Sequence, residues 1–143
     1  MAWILIIALS FWGFTPGPTP QEQHLIDLIN HARVARHLPT LIFSQTLAEC
    51  ARLHSRDMKL HRFFGHGSSR GESFERRITL FVRPTAVTGE NVAIAGDVDA
   101  AERALLASPD HRANILDPRF KYVGVGIETE AGIGVVVTED FSG

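Results

Sequence analysis

Two histidines and one glutamate, His66, Glu90 and His111, are the side chains of this sequence best suited to chemistry. They lie far apart in the chain, so only the fold can bring them together. Two neutral imidazoles and one carboxylate would suit Zn²⁺ and leave a fourth position for water, whose lowered pKa could support hydrolysis of an ester or amide. Without a metal, the same groups could act as acid and base, or form a hydrogen-bond network that fixes the surrounding loops.

The serines near these residues and the single cysteine do not have the setting of a catalytic nucleophile. Ser68 and Ser69 lie in a Gly- and Ser-rich stretch, and Ser108 precedes Pro109 at a predicted helix end. None of them lies in a strained G-x-S-x-G turn. Cys50 lies in an apolar run, so we expect it to be a buried core residue.

The composition is typical of one globular domain. The chain has 143 residues, of which 45% are hydrophobic, and this is enough for one compact core but too little for two. The formal net charge is −2 and no basic run occurs, so the sequence gives no electrostatic basis for a nucleic-acid partner.

The first twenty residues differ from the rest of the chain. The segment Trp3–Phe14 carries no charge and is shorter than the roughly 20 residues of a membrane span, which favours the apolar core of a secretory signal. A proline- and threonine-rich linker, Thr15–Pro20, follows. We expect residues 1–20 to direct export and to contact the membrane. Residues 21–143 would then form a domain that is secreted or associated with the cell envelope.

Apolar spacing and capping residues predict helices in the first two thirds of the chain and strands at its end. Gly132 separates two alternating apolar segments and predicts a hairpin. This order predicts an α+β fold, an antiparallel sheet covered by helices. The first predicted helix begins at Pro20 and ends before Pro39. The other predicted helices span Gln45–Leu60, Phe74–Leu80 and Val98–Ala107. The predicted strands are Tyr122–Ile127 and Ile133–Val137.

Four stretches, in this order and at this spacing, resemble the bacterial, SCP-like extracellular branch of the CAP superfamily, which is named for cysteine-rich secretory proteins, antigen 5 and pathogenesis-related proteins. The resemblance covers about residues 22–142 and implies an α-β-α sandwich with a central cleft. The stretches are Ala48–Met58 (AECARLHSRDM), Phe63–His66 with Ser73–Arg76, Gly89–Ala93 (GENVA), and Ser108–Leu116 (SPDHRANIL) followed by Phe120 and Gly124–Gly126.

The resemblance also implies which residues line the cleft. In the family, two histidines and two acidic residues do so, and His66, Glu90 and His111 fall on three of these positions. Ser108 falls on the fourth, where the second acidic residue belongs, and Leu105 stands where many relatives have tryptophan. We therefore expect three of the four cleft groups, with zinc as the cofactor that they could hold.

Three functions are compatible with these residues and this resemblance. The first is a non-enzymatic extracellular module that binds a lipid, a glycan, a cell-wall fragment or a protein in the cleft. The second is a metal-assisted hydrolase that uses His66, Glu90 and His111. The third is a structural envelope protein tethered by residues 1–20.

The sequence supports further expectations about neighbouring residues. His54 falls on an apolar helix face and is expected to be a hydrogen-bonded core residue. Asn114 is expected to fix its own loop, Arg112 to hold a loop carbonyl or an acid, and Glu139 with Asp140 to form an exposed acidic pair. Gly124 and Gly126 indicate a bulge or a close backbone approach.

Overall fold

A computed structural model describes residues 17–84 and 86–143, so the predicted apolar segment Trp3–Phe14 lies outside the described residues. No helix within the described ranges has the length and apolar character needed to cross a bilayer. The helices are α1 (Pro20–Val34), α2 (Gln45–His61), α3 (Phe74–Ile78), α4 (Val98–Ala107) and α5 (Pro109–Ile115), and the strands are β1 (Ile42–Phe43), β2 (Thr88–Ala95), β3 (Tyr122–Glu130) and β4 (Gly134–Ser142).

The four strands form one sheet in the order β1-β3-β4-β2. Strands β3 and β4 form the expected antiparallel hairpin, and β4 also pairs antiparallel with β2. The two-residue strand β1 pairs parallel with β3 at the edge, so the sheet is mixed rather than wholly antiparallel. Strands β3 and β4 therefore lie inside the sheet, where both of their faces can be covered.

Helices cover both faces of the sheet, which confirms the α-β-α sandwich. Helix α2 packs on one face against β3 and β4, while α1, α4 and α5 lie on the other. Side chains alternate between the faces along β4, so Thr138 and Asp140 point to the α2 side, and Val137, Glu139 and Phe141 to the α4 side. The larger hydrophobic core fills the α4 side and includes Leu25, Ile29, Ala101, Leu105, Val125, Val137 and Phe141.

Side chains at the helix starts explain most of the helix boundaries. Thr19 forms a capping box with Glu22 at α1, and Ser44, Ser73 and Asp97 accept hydrogen bonds from the first turns of α2, α3 and α4.

One helix, α5, was not predicted. Ser108-Pro109 ends α4 as expected, but Pro109 also begins α5, because proline is well tolerated at the first helical position.

The contact between α2 and the sheet depends on two glycines of β3. A Cβ atom on Gly124 would lie 2.1 Å from the main-chain nitrogen of Ala48, and one on Gly126 would lie 2.3 Å from the main-chain carbonyl carbon of Ala51. The expected close backbone approach is therefore confirmed. It brings α2 directly onto β3 and fixes its position on the sheet.

Candidate functional site

The side chains of His66 and Glu90 form a hydrogen bond at the start of β2. His66 lies in the loop between α2 and α3, and its Nδ1 is 2.9 Å from Oε1 of Glu90. The Glu90 side chain is buried, with 1% exposure, whereas the His66 side chain is 52% exposed. A buried carboxylate thus holds one nitrogen of an imidazole whose other nitrogen, Nε2, remains for a ligand.

Arg77 of α3 holds both members of this pair. Its Nη2 donates a hydrogen bond to Oε2 of Glu90, and its Nη1 donates to the main-chain oxygen of His66 at 2.9 Å. The guanidinium compensates the charge of Glu90 and ties the His66 loop to α3. In the sequence Arg77 resembles an ordinary helix-end arginine, because nothing local shows that its partner is a distant strand residue.

His54 of α2 holds the same loop through a side-chain hydrogen bond. Its Nε2 donates to the main-chain oxygen of Gly65 at 2.8 Å, because a carbonyl can only accept. Burial lowers the pKa of His54, which favours the neutral imidazole. The prediction of a hydrogen-bonded core histidine is confirmed, and its position, 4.0 Å from Oε1 of Glu90, makes it part of the support of the site.

The acidic pair expected at the surface is buried, so that prediction is wrong. Glu139 and Asp140 are both 0% exposed, because β4 is an interior strand with helices on both faces. Asp140 lies opposite Glu90 in the sheet register, and burial, followed by the charge of Glu90, raises its pKa well above the ordinary value. Cys50 beside it is buried as expected, and burial raises the pKa of its thiol, so the thiol is unreactive.

His111 makes different contacts from those of His66. Its Nδ1 is 2.9 Å from Oγ of Ser108, the residue in place of the second acidic group of the family. Its main-chain oxygen accepts a hydrogen bond from Nδ2 of Asn91 at 3.1 Å. The structure thus joins His111 to β2 through its backbone, whereas it brings His66 and Glu90 together through their side chains.

Asn114 completes the connection between α5 and β2. Its Nδ2 donates to the main-chain oxygen of Glu90 at 3.1 Å and to Oδ1 of Asn91 at 2.9 Å, so the expectation that it fixes only its own loop is wrong. Arg112 donates to the carbonyl of Leu106, as expected.

The structure does not bring the three predicted residues together as a zinc site. The Glu90 carboxylate is already compensated by Arg77, and the Nδ1 atoms of His66 and His111 contact different partners, Glu90 and Ser108, which leaves Nε2 of each imidazole as its possible metal ligand. Among residues 17–84 and 86–143, no group of three or more His, Cys, Asp or Glu side chains has an arrangement that could hold a metal ion. The zinc hypothesis therefore stays a prediction that would require these side chains to rearrange.

The chain belongs to the cysteine-rich secretory protein (CAP) family, whose sequence profile matches residues 26–141. Its relatives in Bacillus subtilis (strain 168) include the uncharacterized membrane protein YlbC, 34% identical over 77% of this chain and 32% of that protein. The uncharacterized protein YkwD is 32% identical over 85% of this chain and 47% of that protein. The chain thus spans less than half the length of these curated relatives.

Solved structures agree with this assignment. An extracellular protein containing an SCP domain from Bacillus anthracis superposes with a TM-score of 0.75 at 31% identity, over 85% of this chain and 39% of that chain. An outer surface protein of Borrelia burgdorferi superposes with a TM-score of 0.76 over 84% of this chain and 90% of that one, and at 19% identity this likeness shows the fold alone.

Proposed function

We propose that this protein is an exported CAP-domain module that binds an extracellular or cell-envelope ligand at His66, without chemical conversion. Export is supported by the apolar segment Trp3–Phe14 and by the similarity to an extracellular Bacillus anthracis protein. In this proposal, residues 1–20 form the export segment and linker, and residues 21–143 form the binding domain.

The preorganisation of His66 is the observation that carries the proposal. Glu90 and Arg77 fix the imidazole from the buried side, so a ligand does not have to order it. With the hydrogen on Nδ1 directed to Glu90, Nε2 is a hydrogen-bond acceptor. The site then selects a ligand that donates, such as a sugar hydroxyl or an amide.

A neighbouring cavity supports a polar ligand of some size. It has a volume of about 490 Å³ and is lined by His54 and Arg77, the two residues that hold the His66 loop, although His66 itself does not line it. Hydroxyl, carboxylate and apolar side chains complete its wall, among them Ser68, Ser69, Asp57 and Phe81. Hydroxyls and carboxylates beside an aromatic ring suit a glycan better than a lipid tail, so we favour the carbohydrate and amide groups of a cell-wall fragment.

A soluble disaccharide-peptide fragment of peptidoglycan is the probe that tests this function. We expect it to bind the full chain in calorimetric titration, and we expect His66→Ala to lose most of that binding. His24→Ala is the matched control, because His24 is also half-exposed and lies 3.1 Å from a carboxylate, Asp99. Equal binding by the chain and both variants would contradict a role for His66.

The zinc-dependent hydrolase remains the alternative function, using His66, Glu90 and His111. It differs from the binding module in requiring one metal ion per chain, held by both histidines. Tethering by residues 1–20 is compatible with either function, and the mass of the protein in the membrane fraction tests it. A mass that includes residues 1–20 supports the tether, and a smaller mass, without these residues, supports cleavage.

A further inference from the structure

Two buried glutamates face each other on the side of the sheet opposite Glu90. Glu102 lies on α4 and is 2% exposed, and Glu139 lies on β4 and is 0% exposed. Both belong to the layer between the sheet and the helices α1, α4 and α5, which is filled mostly by apolar side chains. Neither residue belongs to the proposed ligand site.

The two glutamates lie on elements that pack against each other, and each carboxyl group is near enough to affect the pKa of the other. Glu139 accepts one hydrogen bond, from Nδ2 of Asn91 to Oε2 at 3.0 Å. Its Oε1 and both oxygens of Glu102 have no hydrogen-bond donor among the described residues. Two ionised carboxylates in this setting would be strongly unfavourable, whereas one proton between them supplies the missing donor.

Among the described residues, no cation packed around Glu102 and Glu139 compensates their negative charge, so a proton must do so. Burial, and next the charge of Glu139, raises the pKa of Glu102 to about 11, and burial also raises that of Glu139. No cation within the described ranges contributes to either shift, and β2 and β3 present Asn91 and Val125, which do not ionise. The other ionisable side chains of α1, α4 and α5 are bonded to other groups or are exposed. Glu22 is bonded to Arg52, His24 to Asp99, Arg33 and Arg112 to main-chain carbonyls, and His111 to Ser108, while Asp27, His31, Arg103 and Asp110 are exposed.

Asn91 connects this pair to His111. Its Nδ2 donates both to Oε2 of Glu139 and to the main-chain oxygen of His111 at 3.1 Å. Its Oδ1 accepts from Asn114, the other residue that ties α5 to β2. A change of charge at Glu139 therefore acts directly on the amide that holds His111.

We propose that Glu102 and Glu139 share one proton, and that this proton locks α4 to β4 and fixes His111 through Asn91. Loss of the proton leaves two buried negative charges between a helix and a strand. The packing of α4 then loosens, and Asn91 and the His111 carbonyl move with it. The protonated pair of Glu102 and Glu139 thus holds α4 against β4 beneath the cleft, and the deprotonated pair does not.

The direction of the pH effect follows from the raised pKa. In the unfolded chain Glu102 ionises near its ordinary value of 4.5, whereas in the folded chain it keeps its proton to about 11. Its contribution to stability is therefore present below the unfolded value and is lost as the pH rises through this interval. Across it, the folding equilibrium constant falls by up to about tenfold per pH unit because of this one proton.

The test is the pH dependence of unfolding for the full chain and for Glu102→Gln. Glutamine can still donate to Glu139 but cannot ionise, so we expect the fall in stability between about pH 5 and pH 10 to be smaller by one proton. We expect Glu102→Gln to be the more stable protein at the alkaline end. Asp140 also has a raised pKa, but it is present in both proteins and cancels in the difference.

Controls and a second readout make the outcome decisive. Glu49→Gln removes an exposed glutamate of α2 and should leave the slope unchanged. The carbonyl chemical shift of His111 should change more with pH in the parent chain than in Glu102→Gln, because any effect of the His111 side chain itself is common to both proteins. If Glu102→Gln does not fold, Glu139→Gln serves instead, because its amide oxygen can still accept from Asn91. Equal slopes in the parent chain and the folded variant would overturn the proposal.

Discussion

Each face of the sheet buries a pair of neighbouring carboxyl groups, but the charges of the two pairs are compensated differently. On the α2 face, Glu90 and Asp140 lie beside each other and Arg77 supplies a guanidinium. On the α4 face, Glu102 and Glu139 have no cation among the described residues, and Asn91 is the neutral donor to one of them. One face therefore keeps a fixed ion pair, and the other depends on a proton.

The two ways of compensating buried charge go with different positions relative to solvent. On the α2 face, Arg77 bonds both the Glu90 carboxylate and the main chain of His66, and so holds His66 at the surface. The shared proton of the α4 face lies beneath α4 and affects His111 only through a main-chain contact. A binding group at the surface and a pH-sensitive support are thus separated by one strand, β2, whose successive residues Glu90 and Asn91 point to opposite sides.

Removal of the Arg77 guanidinium should have the largest effect on stability of the substitutions that distinguish the two faces. Arg77→Met leaves Glu90 and Asp140 without a cation, and we expect a loss of about 3–5 kcal/mol in the free energy of unfolding. Urea denaturation measures it. Arg76→Met is the matched control. The Arg76 side chain is 80% exposed and lies 3.8 Å from Glu72, at the long end of the range for a salt bridge. Such an exposed pair contributes less than about 1 kcal/mol. Equal effects of the two substitutions would contradict the buried ion pair.

A methyl group on Gly124 tests the packing that positions the α2 face. The added Cβ would overlap the backbone of α2, so Gly124→Ala should cost about 1–3 kcal/mol or more. Thermal unfolding measures the loss, and ligand binding should weaken with it because α2 carries His54. Gly96→Ala is the control, since no atom of the described residues lies within 4 Å of a Cβ at that position. A stable Gly124→Ala protein would mean that α2 lies farther from β3.

The connection between the faces can be weakened at Asn114. Asn114→Ala removes the hydrogen bonds to the Glu90 carbonyl and to Asn91. We expect a loss of about 1–2 kcal/mol, because each buried hydrogen bond contributes roughly 1 kcal/mol. Amide hydrogen exchange should increase in α5 more than in α2. Equal increases in both helices would show that Asn114 does not act at the α5–β2 contact.

The smallest effect on stability should come from His66, the half-exposed partner of Glu90. His66→Ala should change the free energy of unfolding by less than about 1 kcal/mol, because half-exposed pairs contribute little. Chemical denaturation beside His24→Ala measures this. A much larger loss for His66→Ala would make His66 structural and would count against its assignment as the binding group.

Local sequence signals predicted most of the fold. Capping residues such as Ser44 and Ser73 placed the helix starts, and Gly124 indicated the close contact with α2. The order and spacing of the motifs assigned His66 and Glu90 to the same cleft. These features depend on neighbouring residues or on spacing within a known family, and both are visible in a single sequence.

The compensation of buried charge could not be predicted in the same way. Glu139 and Asp140 resemble a polar strand end, and only the strand order shows that β4 is covered on both faces. The partner of Arg77 is fixed by tertiary packing and has no local signal. Glu102 did carry a signal, because Val98, Ala101, Glu102 and Leu105 follow the helical period of one buried stripe.

The central claim is that His66 is a preorganised ligand-binding group rather than a zinc ligand, and calorimetric titration of the full chain with Zn²⁺ tests it most directly. His66→Ala and His111→Ala are titrated in parallel. Because Arg77 already compensates Glu90, we predict no one-to-one binding that depends on both histidines. Tight one-to-one binding that is lost in both variants would contradict the account and would establish a metal site.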